Sequence, residues 1–405
     1  MKLIYIHQHF VTNEGTSGTR SYDVSKHLVQ KGHNVTMVCG ICDQSSFSSQ
    51  PWWRLFHVHY IDGIKVVVCN SVYGNKMSVF RRMWSFMKFA GLALTTCLFE
   101  PSPDLIFATS TPLTVGIPGR IGAAVRRIPY IFEVRDLWPE DWVAAGQVKP
   151  GLFYKCWEWL EAFSYAKAKK ILTVSTGFHE RLLERGFAPE RLATVALGAD
   201  GKLFNNLKPD DDFISDLGLS GKTIAVYAGA HGDANGLHQI IEASEYLRDR
   251  PDIAIMLIGD GKLKRQLKLS AVEKDLTNIY FPDPVPKHRL PDILTSCHMG
   301  LMILKQISRP WFVTPNKLFD YMFTGIPTIV NFPGTTAQLV EREGIGLVSL
   351  PGSAEDLASK IQYLADHPEE REMAGRRARQ VAVLKYDRKI IAEELETIFR
   401  ACLQS

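Results

Sequence analysis

Short apolar runs recur along the chain, bounded by turn residues and separated by stretches with helical periodicity. The first is LIYIH at 3–7, followed by a loop rich in Gly, Ser and Thr. In the next stretch, RSYDVSKHLVQKG, Val24, Leu28 and Val29 share one face while Lys26, Gln30 and Lys31 point elsewhere, which predicts an amphipathic helix. NVTMVC at 34–39 then reads as a second strand. Strand, helix, strand in this order predicts a parallel pair joined by a right-handed crossover. The pattern continues with strands at 64–69, 104–110, 129–134, 169–175 and 192–197. Residues 78–99 read as a helix that mixes aromatic and cationic side chains, Phe80, Arg81, Arg82, Trp84, Phe86, Lys88 and Phe89 among them. That mixture suits a crossover helix with one buried face, and equally a helix lying in a membrane interface.

A polar, turn-rich segment at 197–213 interrupts the alternation and reads as a linker. Beyond it the pattern restarts, with strands at 223–229, 253–259, 279–281, 299–305, 327–332 and 346–350, and a last helix from Arg388 to Leu403. Two successive α/β series in 405 residues exceed what one core ordinarily serves. The expected fold class is therefore α/β, with two Rossmann-like, doubly wound parallel-sheet domains facing a central cleft.

Composition adds little until it is divided. The chain is 46% hydrophobic and carries a net charge of +4, ordinary for a globular protein. Residues 1–200 hold about +6 of that charge and the remainder about −2. A basic first half can face phosphates or an anionic membrane surface, and nothing in the pattern points to nucleic acid. No signal-peptide pattern opens the sequence, and the apolar run 89–99 is far shorter than the roughly 20 residues a bilayer requires. The expected location is cytoplasmic, with room for contact at the cytoplasmic face of an inner membrane. The seven cysteines then read as reduced thiols. Cys39 and Cys42 form an isolated C-x-x-C, better read as core residues at a strand end than as a zinc or redox site.

Open parallel sheets bind ligands beyond the carboxyl ends of their strands, so the loops there carry the candidate chemistry. In NEGTSGTR, Gly15, Thr16, Ser17 and Gly18 let backbone N–H groups approach a ligand, and Arg20 opens a helix where a phosphate is favoured. The spacing is not G-x-G-x-x-G and no acidic residue ends the second strand, which argues against NAD. EVRDLWPE places Glu133, Arg135, Asp136 and Glu140 directly after a buried strand, where carboxylates need a partner or a function. In the second half, GAHGDANG (Gly229, His231) and GDG (Gly259, Gly261) follow the first two strands. Lys264 and Arg265 come next, a combination suited to a diphosphate. TPNKLFDYMFTG supplies Thr314 as an expected N-cap, Pro315 as first helical residue, Asn316, and Lys317 in a first turn that disfavours a cation unless an anion is held nearby. Asp320 follows one turn later.

These segments, in this order, resemble the family 4 glycosyltransferases of the GT-B fold. KGHNVTMV (31–38), LGAD (197–200), IGDG (258–261) and DYMFTGIPTIV (320–330) carry the likeness. EVRDLWPE and TPNKLFDYM are most similar to bacterial polysaccharide and O-antigen enzymes of the fucosamine transferase type. The resemblance implies an acceptor-side domain over 1–198, a nucleotide-sugar domain over 199–385, and a C-terminal helix at 386–405 packed back on the first. It implies retaining transfer of a hexosyl or N-acetylhexosaminyl group from a nucleoside-diphosphate donor, UDP by expectation, with no metal and no cofactor. The acceptor would be a glycan or a polyprenyl-linked sugar of bacterial surface polysaccharide. Asp136, Glu133, Arg135 and Lys317 are the expected catalytic residues, with Asp320 on the ribose.

Two departures from the family pattern stand out. Its Glu, seven residues, Glu signature has Phe312 at the first position and Asp320 at the second, and its Arg…Lys pair after the first C-domain strand is replaced by Ala230, His231 and Asn235. A nucleotide-sugar 2-epimerase, or a degenerate sugar-nucleotide-binding protein, therefore remains an alternative reading.

Overall fold

The computed structural model describes residues 1–404 except 16–17, 44, 46, 75–76, 145–148, 150 and 308–310. The chain divides into two compact units, Met1–Leu197 with Arg388–Ser405, and Gly198–Asp387.

Unit 1 is built on β1 (Lys2–Ile6), β2 (Asn34–Cys42), β3 (Phe56–Ile61), β4 (Ile64–Tyr73), β5 (Leu105–Thr109), β6 (Tyr130–Val134), β7 (Lys170–Thr173) and β8 (Leu192–Thr194). The sheet order is β3-β4-β2-β1-β5-β6-β7-β8, parallel throughout except where β3 folds back on β4. Asp62 and Gly63 both have positive φ in that hairpin turn, as a type I′ turn requires. Cys39 lies inside β2 and Cys42 is its last residue, and both are buried.

Helix α1 (Arg20–Gln30) buries Val24 and Leu28 against the sheet. Helix α2 (Val79–Phe99) buries Ser85, Phe86, Phe89, Ala90, Ala93 and Cys97. It is a crossover helix with one buried face, yet Phe80 (81% exposed) and Trp84 (67%) remain in solvent. No described helix is long and apolar enough to cross a membrane. The C-terminal helix Arg388–Gln404 contributes Ile391, Ala392, Leu395, Phe399 and Cys402 to the same core as Val24 and Leu28.

Unit 2 holds β9 (Thr223–Ala228), β10 (Ile253–Ile258), β11 (Ile279–Tyr280), β12 (Met299–Met302), β13 (Thr328–Val330) and β14 (Gly346–Val348). Their order, β11-β10-β9-β12-β13-β14, is that of a Rossmann sheet, in which the chain reverses its direction of winding beside the first strand. Apolar clusters cover both faces, as an all-parallel sheet demands. Each unit thus has the doubly wound, parallel-sheet α/β fold expected from the sequence.

One side chain fixes the site-bearing helix Asn316–Thr324 to this sheet. The buried Tyr321 hydroxyl accepts a hydrogen bond from the Ala228 N–H at 3.0 Å and lies 3.3 Å from the Val226 carbonyl. Gly300 makes room for its ring, since a Cβ there would stand 2.3 Å from the ring edge. Tyr321→Phe keeps the volume but orphans the Ala228 N–H, a loss of about 1–3 kcal/mol. We expect a melting temperature lower by several degrees; an unchanged value would remove Tyr321 from this anchoring role.

Candidate functional sites of the two units

In unit 1 the winding reverses between β1 and β5, so the loops after β1, β5 and β6 border the crevice where ligands bind in such folds. Arg20 does not face it. Its Nη2 donates to Glu133 Oε1 at 2.7 Å, its other donors reach the carbonyls of Val195, Ala196 and Leu197, and both side chains are fully buried. Thr109 donates to the second Glu133 oxygen at 2.6 Å. Burial alone would raise the Glu133 carboxyl. The charges of Arg20 and Arg135, with hydrogen bonds from Thr109 and Arg20, outweigh it and hold the group below its usual range. The phosphate contact expected of Arg20 and the acceptor contact expected of Glu133 are therefore replaced by a buried ion pair. A guanidinium whose donors are all directed to protein acceptors has none left for a ligand.

Asp136 and Arg135 are different. Both are half-buried. Asp136 accepts a hydrogen bond from the Thr111 hydroxyl, and the Arg135 backbone N–H donates to Ser110 Oγ at 3.0 Å. Arg135 Nη1 lies 3.4 Å from His7 Nε2. Glu140 is paired with Arg181 at 2.9 Å. Gly15 closes a turn through its N–H to the Thr12 carbonyl at 3.0 Å, Gly18 is half-buried, and Thr16 and Ser17 lie outside the described residues.

The same crevice holds residues that the sequence reading passed over. His9 packs on Tyr73 at 4.5 Å and edge-on to Phe86 at 6.5 Å. Burial and the nearby Arg135 and Arg82 charges lower its pKa to about 4. His7, with Ser21 at 2.8 Å, is also lowered, by burial and then by Arg135. The signal was present in HQH, directly after the first strand.

In unit 2 the crevice lies beyond β9, β10 and β12. The turns after β9 and β10 press together: a Cβ on Gly259 would stand 2.0 Å from the Gly229 carbonyl oxygen, and one on Gly261 2.5 Å from that of His231. The His231 N–H donates to the Asp260 carbonyl at 2.9 Å, and its own carbonyl accepts from Leu263 at 3.0 Å. The imidazole is fully buried, and neither ring nitrogen has a partner.

Lys317 points back from its helix to the face of Tyr227, with Nζ 3.6 Å from the ring centroid and 2.9 Å from where a Cβ on Gly229 would stand. Burial lowers its pKa to about 7 against the opposing pull of Asp320. Pro315, in extended conformation, is the N-cap of this helix, which starts at Asn316, and no side chain caps it. Thr314 is buried one residue earlier and is not the expected cap, because the extended Pro315 separates it from the first turn. The N–H groups of Asn316 and Lys317 have no helical partner, whereas that of Leu318 donates to the Pro315 carbonyl at 3.1 Å. Asp320 is held by Lys287 at 2.5 Å, so one of its oxygens is already engaged; no sequence signal singled out Lys287. Lys264 is likewise tied to Asp283 at 2.8 Å and to the Pro282 carbonyl at 2.9 Å, which draws it away from the role expected of it. Arg265 is exposed.

Breaking the unit 1 pair gives a direct test. Arg20→Met strands the buried Glu133 charge, at a cost on the order of 3–5 kcal/mol, and adding Glu133→Gln should restore part of it. Thermal melts of the single and double variants decide the matter: an Arg20→Met protein as stable as the parent would contradict the pairing.

The comparisons agree with this architecture. A model described as a glycosyl transferase 4-like domain matches residues 15–198, and one described as glycosyl transferases group 1 matches residues 210–381. WcaI of Escherichia coli (strain K12), named for a glycosyl transferase of colanic acid biosynthesis, is 25% identical over 272 residues. That match covers 64% of this chain and 66% of WcaI, just under two thirds of its length. The capsular polysaccharide biosynthesis glycosyltransferase CapM of Staphylococcus aureus is 22% identical over 363 residues, 86% of this chain and 90% of CapM. The crystal structure of Anabaena HepE in complex with UDP-glucose superposes with a TM-score of 0.72 at 16% identity, over 99% of this chain and 100% of HepE, a likeness of fold. Between them the two family models span most of the chain, which belongs to the glycosyltransferases of the GT-B fold.

Proposed function

We propose that this protein is a retaining, metal-independent glycosyltransferase. It would move a hexosyl or N-acetylhexosaminyl group from a UDP-sugar to a glycan or polyprenyl-linked acceptor of bacterial surface polysaccharide, on the cytoplasmic side of the membrane. The observation that carries the reading is the glycine-lined crevice of unit 2. There Lys317 and the first-turn N–H groups of its helix stand beside Gly229, with Gly259 and Gly261 packed alongside. A helix N-terminus with a lysine and with glycines that let the backbone approach is a receptor for a diphosphate. The UDP-glucose in HepE and the polysaccharide roles in the names of WcaI and CapM favour the same donor and pathway class.

In this reading Lys317 and those N–H groups stabilise the charge that develops on the departing diphosphate. Asp320, set by Lys287, presents its carboxylate to the ribose hydroxyls. Asp136, held by Thr111, orients the acceptor hydroxyl on unit 1, with Arg135 beside it. The bond from the anomeric carbon to the phosphate oxygen breaks as the bond to the acceptor oxygen forms on the same face, and the phosphate oxygen takes the acceptor proton. Arg20, Glu133 and Lys264 hold the loops in place. On α2, Phe80, Arg81, Trp84 and Lys88 line a groove of about 390 Å³ together with Trp52 and Val72, which favours an acceptor with a lipid portion or contact with an anionic bilayer.

Lys317→Ala should lower turnover about 10²–10³-fold, the usual loss for one transition-state donor. UDP release from a panel of UDP-sugars with lipid-linked acceptors measures it, and a fall of tenfold or less would remove Lys317 from the mechanism. Asp136→Asn should reduce turnover yet leave UDP affinity within about twofold. Equal loss of both would move Asp136 off the acceptor side.

A further inference from the structure

The environment of Lys317 is unusual for a phosphate-binding cation. Its ammonium rests on an aromatic face, and among the described residues no carboxylate lies within ion-pair distance of it. Asp320, one turn along the helix, is claimed by Lys287. Beside it His231 is buried with both ring nitrogens unpartnered. A buried polar group left without partners in a native fold calls for an explanation, and a group supplied by a ligand is one.

We propose, resting on the donor reading above, that unit 2 binds the donor diphosphate together with a proton, taken up by Lys317 and, behind it, by His231. The neighbourhood supports this. Among the described residues, Lys317 stands against Tyr227, whose ring face favours the cation, with Gly229 and His231 beside it and Asp320, already engaged by Lys287, one turn along. His231 faces Lys264 and Lys268 from the following helix, Asp260 from the turn after β10, Lys317, and the Tyr227 ring at 6.2 Å. Lys264 is paired with Asp283 at 2.8 Å, and three lysines against Asp260 leave the cations outnumbering the anions around the imidazole.

With no ligand present, burial takes Lys317 to about 7, and burial and then the Lys264 charge take His231 to about 4. A diphosphate adds negative charge beside both and raises both values. The complex then holds more protons than the free protein, and affinity falls as pH rises above the free Lys317 value. In this chain His231 stands where the family pattern has its fixed Arg…Lys pair, and the lysine beside it comes from the helix Asn316–Thr324, so binding and protonation are linked.

UDP is the probe, because its terminal phosphate has a pKa of about 6 and is fully ionised at pH 8. Calorimetric titration of the full chain at pH 8, in buffers of different ionisation enthalpy, counts the protons exchanged. The expected result is uptake of about 0.5–1 proton per UDP, with affinity about three- to tenfold weaker at pH 9 than at pH 8, since one linked proton corresponds to one decade per pH unit. Lys317→Arg, permanently charged, should still bind UDP but lose most of the uptake and most of the pH slope. His231→Asn should remove what remains. UDP binding with no proton uptake at pH 8, or full uptake retained in Lys317→Arg, overturns the proposal and leaves the donor site standing. No binding of UDP, or of any nucleoside diphosphate, to a protein with a normal melting temperature overturns the donor reading and this inference with it.

Discussion

A guanidinium deep inside a protein survives only if its charge and all its donors are answered. In unit 1 Arg20 meets that condition through Glu133 and three consecutive carbonyls at the end of β8. This constraint organises the unit. It ties the start of α1 to β6 and β8, and with Thr109 it ties β5 to the same point. Arg388, which opens the C-terminal helix, donates to the Leu197 carbonyl and sits 3.4 Å from Asp23 on α1. Three strand ends and two helices thus converge on one buried network, and the loops carrying Arg135 and Asp136 start from it. Such pairs contribute little net stability over apolar packing, but breaking one is costly, which makes the network a positional device for the residues around it.

Unit 2 fixes its site-bearing helix and the turns after β9 and β10 to the sheet with neutral groups. The Tyr321 hydroxyl joins the helix Asn316–Thr324 to β9, and glycine-to-backbone packing joins the turns after β9 and β10. Charge is then available at the surface of the crevice, in Lys317, rather than locked in its foundation. The two units therefore place their ionisable groups differently. Unit 1 buries an ion pair beneath its site, whereas unit 2 leaves a half-buried lysine without a carboxylate partner.

Most of the fold was legible in the sequence because both sheets are parallel and buried on both faces, so their strands read as continuous apolar runs. β3 was missed for the converse reason. It is an edge strand in which Phe56, Val58 and Tyr60 alternate with His57 and His59, but the apolar side of that alternation is exposed and FHVHYI forms no continuous apolar run. The short alternation and the Asp62-Gly63 turn were its only signals. Candidate site residues were found by position, since loops after parallel strands can be counted along the chain. Their roles were less legible. That Arg20 seeks Glu133, Lys264 seeks Asp283 and Asp320 is reached by Lys287 depends on side chains brought together from 33 or fewer to more than 100 residues away, and periodicity carries no information on that.

The departures from the family pattern take on a physical meaning once the unit 2 crevice is assembled. A fixed cationic pair after the first C-domain strand would sit where His231 now lies, beneath Gly259 and beside Tyr227. That space is closed to solvent and already flanked by Lys264, Lys268 and Lys317, and a permanent charge there would carry a desolvation cost whenever no anion was bound. A neutral imidazole avoids most of that cost, as does a lysine that can shed its proton. The absent first carboxylate fits the same logic. With Phe312 in its place, the described residues put no acidic group beside Lys317 other than Asp320, and Lys287 already holds that one. Had a second carboxylate been free there, it would have fixed the proton on Lys317 and occupied the ammonium with a protein partner. The missing anchors are thus one coherent change, in which permanent charges are withdrawn from the crevice and the remaining ionisable groups are left responsive to what binds.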